Sequence, residues 1–189
     1  MDFTRTEAAQ DLSGLAATIV NAVCTPEHQR SLDRLDQRFD TTLWRKLIDA
    51  DILSAAAPEG VGGGGFGVLE QTAILTALGR QLAAVPYLDS VVLAAGALAR
   101  FGPSALRQSW AQPAVAGERI LAVALDGALG QVPVRAAASD SGFTLTGSRT
   151  QVCFAPVADA FLVPAETDAG TTVFLVSADD PGVSVTALE

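Results

Sequence analysis

The sequence predicts an α+β fold, an all-helical N-terminal domain followed by an antiparallel β-barrel-like domain. Three observations point there. Apolar residues recur at three- and four-residue steps as far as Val115, then switch to short β-rich runs separated by turn residues. The charge changes at the same place: residues 1–119 hold ten basic and 13 acidic side chains, whereas residues 120–189 hold only Arg135 and Arg149 against eight acids. The 189 residues, 49% of them hydrophobic, suffice for one large core or two small ones. The expected division is a helical domain over 1–118 and a β domain over 119–189.

Leu12, Leu15, Ile19 and Val23 mark one face of a first helix, which Thr25-Pro26 ends because proline restricts its predecessor and lacks a donor. Leu32, Leu35 and Phe39 give a short second stripe. Leu43, Trp44, Leu47, Ile48 and Ile52 give a third, with Asp40 placed to cap it. A glycine-rich loop spans Gly60–Gly67. Phe66–Ala84 is apolar on more than one face (Leu69, Ile74, Leu75, Leu78, Leu82), the mark of a helix packed on several sides. Pro86 separates it from an apolar helix over Tyr87–Phe101, closed by Gly102-Pro103. Ser104 is placed to cap a last helix that runs to Trp110 and breaks at Pro113.

Strands are expected at Ile120–Leu125, Val132–Ala136, Phe143–Leu145, Ala160–Val163 and Thr172–Val176, with Val183-Ser184-Val185 as one more. Turns fall at Asp140-Ser141-Gly142, Thr167-Asp168-Ala169-Gly170 and Asp179-Asp180-Pro181-Gly182. The strand count is low for a closed barrel, so the β domain reads as cut short.

Composition excludes several classes. The apolar fraction excludes disorder. A net charge of −9 argues against nucleic-acid binding, because phosphate is repelled. Two cysteines and one histidine are too few for a disulfide framework or a zinc site. No apolar stretch approaches the ~18 residues of a membrane span, and no secretory signal opens the chain. A reduced, cytoplasmic protein without a membrane partner is the expectation.

Motifs add little by themselves. GxGxxG occurs at Gly60-Gly62-Gly65 and again at Gly62-Gly64-Gly67, but a helix precedes it, so a dinucleotide fold lacks its strand. A turn that lets two helices approach is the simpler reading. Lys46, the sole lysine, and His28 read as solvated. Cys153 reads as a small buried residue in a strand, and Asp33, Asp36 and Asp40 as a solvated helix face.

A resemblance carries the functional argument. Pro58-Glu59-Gly60-Val61-Gly62-Gly63-Gly64-Gly65-Phe66-Gly67 resembles the P-E-x-x-G-G-x-G loop of acyl-CoA dehydrogenases. Leu78-Gly79-Arg80, Phe101-Gly102, Ala116-Gly117-Glu118-Arg119, Ala124-Leu125-Asp126-Gly127, Phe143–Arg149, Ala158-Asp159, and Phe174-Leu175-Val176 with Pro181-Gly182-Val183 are similar to further family motifs in the same order. The resemblance implies FAD, an acyl-CoA substrate, electron-transfer flavoprotein as acceptor, and a homo- or hetero-oligomer, a tetramer in the family. It implies α,β-dehydrogenation, in which a carboxylate takes the α-proton and FAD takes the hydride. Leu125, Asp126, Gln151, Val152 and Cys153 correspond to the flavin-contact segments, and Val92 and Leu93 to the acyl pocket.

The departures are specific. Asp126 stands for a flavin-bonding threonine, Gln151 for an aromatic wall, and Cys153 for a hydroxyl donor. The family's catalytic glutamate belongs to a C-terminal helical bundle that is absent from this chain, so the chain alone is expected to be inactive, with no catalytic residue assigned. Glu59, Glu70 and Glu118 match structural positions. Three readings stay open: part of a catalytic flavoprotein, similar to actinobacterial members acting on steroid side-chain thioesters; a non-catalytic partner subunit of a heterotetramer; or a stand-alone binding module.

Overall fold

The computed structural model describes residues 5–125, 130–140 and 142–187. Two compact units divide the chain, Met1–Arg119 and Ile120–Glu189.

The first unit is helical. Helix α1 (Glu7–Val23) starts at Thr6, whose side chain accepts from the Ala9 N–H at 3.0 Å. Its buried stripe is Ala9, Ala16, Val20 and Val23, whereas Leu15 is exposed. The expected face is thus kept at Val23, with Leu12 and Ile19 half-buried, and extended to Ala9, Ala16 and Val20, where α1 packs on α5 (Val68–Arg80). Helix α2 (Pro26–Leu32) is capped by Thr25 with proline first, where its missing donor costs nothing. Helix α3 (Thr41–Asp49) is capped by Asp40. Asp51, at φ 55°, turns the chain into α4 (Ile52–Ala55).

A 3₁₀ turn (Glu59–Val61) opens the glycine loop. The loop folds back on α4: the Gly64 N–H donates to the Ser54 carbonyl at 3.0 Å and the Gly65 N–H to Ala57 at 2.9 Å. A Cβ at Gly63 would stand 2.1 Å from the Ala57 carbonyl oxygen, so no side chain fits there. Close approach of backbones explains the glycines without any nucleotide.

Helix α5 follows. Glu70 is buried in its first turn and satisfies two donors. Its Oε2 accepts from the Gly67 N–H at 2.9 Å, and its Oε1 accepts from the Thr6 hydroxyl at 2.6 Å. One carboxylate therefore caps α5 and ties it to the start of α1.

The stretch expected as one apolar helix is a π-helix (Tyr87–Ala95) running into α6 (Gly96–Phe101). The last helical stretch comprises α7 (Ser104–Leu106), a second π segment (Arg107–Ala111) and α8 (Gln112–Val115). Two expectations are corrected here. Pro103, not Ser104, stands at the cap position, and Pro113 does not break the stretch. It is the second residue of α8, where an α-type first turn needs no donor. Gly117 ends the unit at φ 77°. Its carbonyl accepts from Trp44 Nε1 at 3.3 Å, and a Cβ would press on Ile48 at 2.5 Å.

The second unit is a five-stranded sheet built on β4 (Ala160–Thr167). One edge of β4 carries β5 (Gly170–Ser177), antiparallel along its full length. The other edge is shared: β1 (Leu121–Val123) pairs parallel with Ala160–Leu162, and β2 (Val134–Ser139) pairs parallel with Ala165-Glu166. Strand β3 (Gly142–Thr146) pairs antiparallel with β2. The sheet is therefore mixed rather than purely antiparallel, because β1 and β2 meet β4 from the same direction. Val134, Ala136 and Ala165 form its core, with Leu145, Val163 and Phe174 packed on them. Val183-Ser184-Val185 is not a strand, having no partner strand among the described residues.

Asp159 explains the Ala-Asp dipeptide before β4. Its Oδ2 accepts from the Ile120 N–H and its own N–H donates to the Ile120 carbonyl, both at 2.7 Å, which sets the β1–β4 register.

The Thr6 hydrogen bond, above all, holds the Glu70 carboxyl below its usual value of 4.5. A depressed carboxyl stabilises the fold above its unfolded pKa and loses that contribution as pH falls through the folded value. Glu70→Gln is expected to lower the melting temperature at pH 7, with the gap to wild type closing below pH 4.5. Thermal melts of both proteins across pH 3–7 check the sign.

Candidate functional site

Two stretches hold the candidate residues, one in each unit. In the helical unit the π-helix buries Tyr87, Ser90, Val91, Ala94 and Ala95 on one side. Its other side is a row of partly or fully exposed positions: Leu88, Asp89, Val92, Leu93, Gly96 and Ala97. Val92 is half-buried and Leu93 is 39% exposed, so both proposed pocket residues lie on the open face. Asp89 is the one ionisable group in the row, and burial pushes its carboxyl pKa up. π-Helices are rare and concentrate at functional sites, which makes this helix the leading candidate surface of the unit.

Beneath the row, Tyr87 is fully buried and its hydroxyl has no hydrogen-bond partner among the described residues. Burial raises its pKa, so the phenol stays neutral.

Residues expected on the surface prove to be structural. Asp40 is 1% exposed, not part of a solvated face. Its Oδ1 accepts from the Leu43 N–H at 2.9 Å and its Oδ2 meets His28 Nε2 at 2.8 Å. Its own N–H donates to the Ala84 carbonyl at 2.8 Å. His28 is thus half-buried and engaged rather than solvated, which a polar local sequence hides because the partner is 12 residues away. Asp33 and Asp36 are exposed as expected, with Asp33 paired to Arg38 at 2.8 Å. Cys24 is buried beside this cluster, and burial with the Asp40 charge raises its thiol pKa, leaving it inert. Glu70 is committed to capping, and Glu59 and Glu118 are exposed. Lys46 is exposed.

In the β unit, Leu125 is exposed two residues beyond β1, after Ala124 has donated to the Leu162 carbonyl at 2.9 Å. Asp126, with Gly127-Ala128, lies outside the described residues. Gln151, Val152 and Cys153 sit on the loop leading into β4, Gln151 at φ 60°. Cys153 is exposed in a turn, not buried in a strand, because the β-rich run gives way to a 3₁₀ turn (Ala155–Val157). Within this unit Gln131 bonds to the residues just before Gln151: its Nε2 donates to the Ser148 carbonyl at 2.9 Å, and the Thr150 hydroxyl reaches its Oε1 at 3.5 Å. Arg149 donates from Nη2 to the Pro164 carbonyl at 3.0 Å.

The chemistry of this set is limited. The Gln151 side chain offers no aromatic face and the Cys153 thiol is a weak donor. Among the described residues no group of three His, Cys, Asp or Glu side chains is placed to hold a metal ion. No helix among them is long and apolar enough to cross a membrane.

Residues 6–118 match the family described as Acyl-CoA dehydrogenase, N-terminal domain. The chain is 72% identical over 188 residues to Acyl-CoA dehydrogenase FadE27 of Mycobacterium tuberculosis (strain ATCC 25618 / H37Rv), covering 100% of this chain and 50% of that protein. Its structure superposes at a TM-score of 0.97 on a chain of the ChsE4-ChsE5 complex from Mycobacterium tuberculosis, at 72% identity, covering 100% of this chain and 52% of that one. It superposes at a TM-score of 0.87 on the Tcur3481-Tcur3483 steroid ACAD G363A variant, at 33% identity, covering 96% of this chain and 51% of that one. The chain thus spans about half the length of the curated relatives it matches, 50% in the first case.

The buried polar groups make opposite predictions. Asp40→Ala strips α3 of its cap and leaves His28 and the Leu43 N–H unpaired, at an expected cost of about 2–3 kcal/mol, whereas Asp40→Asn keeps most of it. Tyr87→Phe removes an unpartnered hydroxyl and is expected to be neutral or stabilising by up to about 1 kcal/mol. Urea midpoints of the three variants decide both points.

Proposed function

The chain belongs to the acyl-CoA dehydrogenase family, and from that premise we propose that it is the N-terminal and middle part of one subunit of a heteromeric acyl-CoA dehydrogenase. The observation that carries this reading is the likeness over the whole chain, at 72% identity, to a chain solved as part of a two-protein complex. In this reading the assembly performs α,β-dehydrogenation of an acyl-CoA thioester. FAD, when bound, supplies the hydride acceptor, and electron-transfer flavoprotein is the proposed onward acceptor.

The division of labour follows from the side chains. Gln151 and Cys153 replace the aromatic wall and the hydroxyl donor, so this subunit contributes little to holding a flavin ring. The partner subunit is proposed to hold the flavin and the catalytic base. The backbone N–H groups near Leu125 and Asp126 are compatible with a polar contact, and Val152 with an apolar one. For the helical unit, we propose that Val92 and Leu93 form a wall of an acyl pocket. The steroid-type relative favours a bulky polycyclic acyl group over a straight chain. A cytoplasmic location, with neither nucleic acid nor membrane as partner, completes the reading.

The partner reading has a direct test. The full-length protein purified alone is expected to lack the flavin absorbance bands and to reduce no dye with an acyl-CoA. Co-expressed with a catalytic acyl-CoA dehydrogenase partner, it is expected to co-purify as a hetero-oligomer holding one flavin per pair of unlike subunits. Stoichiometric FAD and dye reduction by the protein alone would overturn the assignment to a non-catalytic partner.

A further inference from the structure

Strand β4 has partners on both edges, yet Pro164 stands in its middle. Proline lacks the ladder donor and belongs on edges. The pairing of this strand resolves the conflict. On the shared edge, β1 takes Ala160–Leu162 and β2 takes Ala165-Glu166, so Val163-Pro164 meets no strand there among the described residues. Carbonyls two residues apart on a strand face the same edge, and the Leu162 carbonyl accepts from the Ala124 N–H on this one. The Pro164 carbonyl therefore opens into the gap between β1 and β2. A side chain meets it there: Arg149 Nη2 donates to it at 3.0 Å. Arg149 is half-buried, its Nε is shut off from solvent without an acceptor, and no carboxylate pairs with it among the described residues. The guanidinium is thus a plug held by one bond and by packing.

Gly147 prepares the approach of Arg149 to this gap. The chain leaves β3 at Gly147, φ 149°, so close over the start of β2 that a Cβ would stand 2.9 Å from Val134 Cα. Gln131 holds the next residue, its Nε2 donating to the Ser148 carbonyl at 2.9 Å. Beyond Arg149 the backbone turns twice through left-handed conformations, at Gln151 (φ 60°) and Phe154 (φ 55°). Residues other than glycine hold such conformations only where the surroundings impose them. We propose that Arg149 is a positioning residue: by filling the gap between β1 and β2 it fixes the loop at 151–153 against β4. The path of the loop and its side-chain chemistry are then set by different residues. Gln151 and Cys153 can replace an aromatic and a hydroxyl side chain while the loop keeps its place. That this loop stands at a flavin-contact position rests on the proposed function; its dependence on Arg149 does not.

Hydrogen exchange followed by mass spectrometry on the full-length protein tests this with a readout that involves neither flavin nor partner. The Ala155 and Val157 amides, which donate to the Val152 and Phe154 carbonyls, report on the loop. Arg149→Met is expected to raise exchange over residues 150–158 about tenfold and to leave β4 and β5 unchanged. Arg149→Lys, which still offers Pro164 a donor, is expected to stay within about threefold of wild type. Gly147→Ala keeps the guanidinium but displaces its approach, and is expected to loosen the same residues by about tenfold. If Arg149→Met or, should that variant not fold, Gly147→Ala leaves exchange at 150–158 unchanged, the role of Arg149 is overturned. It is overturned equally if Arg149→Lys loosens the loop as much as Arg149→Met. An even rise across β1, β2 and β4 also sinks it, since the guanidinium would then be a general brace of the sheet.

Discussion

The helical unit depends on one buried carboxylate. Asp40 caps α3 through the Leu43 N–H, holds His28 of α2, and receives the chain before the π-helix through its bond to Ala84. Segments 3, 12 and 44 residues away converge on a residue that is 1% exposed. A buried carboxylate persists only where its acceptor sites are filled, as Leu43 and His28 fill them here, while the Asp40 main-chain N–H makes the bond to Ala84. The π-helix that carries the candidate residues therefore starts from a fixed point. Glu70 does the same service between α1 and α5, again as a cap that also reaches a distant hydroxyl. In both cases a local capping role, open to any acidic residue, is combined with a long-range one that fixes how helices meet.

The β unit is organised differently. Its constraint is that β4 has two usable edges and three partners. β5 occupies one edge completely, so β1 and β2 must share the other, each pairing with one part of it. Asp159 decides which part belongs to β1 by binding Ile120 from both its main chain and its side chain. Leu125 consequently leaves the sheet beside the middle of β4, and the Gln151–Cys153 loop leads into its start. Gln151 and Cys153 lie on a connection of this sheet rather than in its ladder. Their chemistry can change while Val134, Ala136 and Ala165 keep the core.

Function follows from what these two frames present. The helical unit offers an apolar strip with a single carboxyl, and the β unit offers an exposed loop, Gln151–Cys153, without aromatic or hydroxyl side chains. Both lie in a chain whose residues 6–118 match the acyl-CoA dehydrogenase N-terminal domain. Glycine-loop mimicry of a dinucleotide motif dissolves in the same way: Gly63 and Gly64 are small because the backbone of Ala57 and of Ala55 in α4 lies against them.

Much of the fold was legible because it is local chemistry. Thr25-Pro26 stops one helix and starts the next, Asp40 caps α3, the period changes near Arg119, and the turn at Thr167–Gly170 joins β4 to β5. Each of these is decided by residues within a few positions of one another, as caps and turns are. The ordered motifs, from the glycine loop to Ala158-Asp159, also placed the family before any coordinate. Tertiary structure alone decided the rest. The buried face of α1 includes Ala9, Ala16 and Val20 and leaves Leu15 exposed because of where α5 packs on it. His28 and Asp40 pair across two helices, and Glu70 reaches Thr6 across 64 residues. The parallel pairings of β1 and β2 depend on which edge of β4 is free. The π-helix is invisible in the sequence because apolar residues at four-residue steps suit an α-turn and the wider turn equally. Long-range partners and the choice between near-degenerate helices are properties of packing, and packing is not encoded within any short window of the chain.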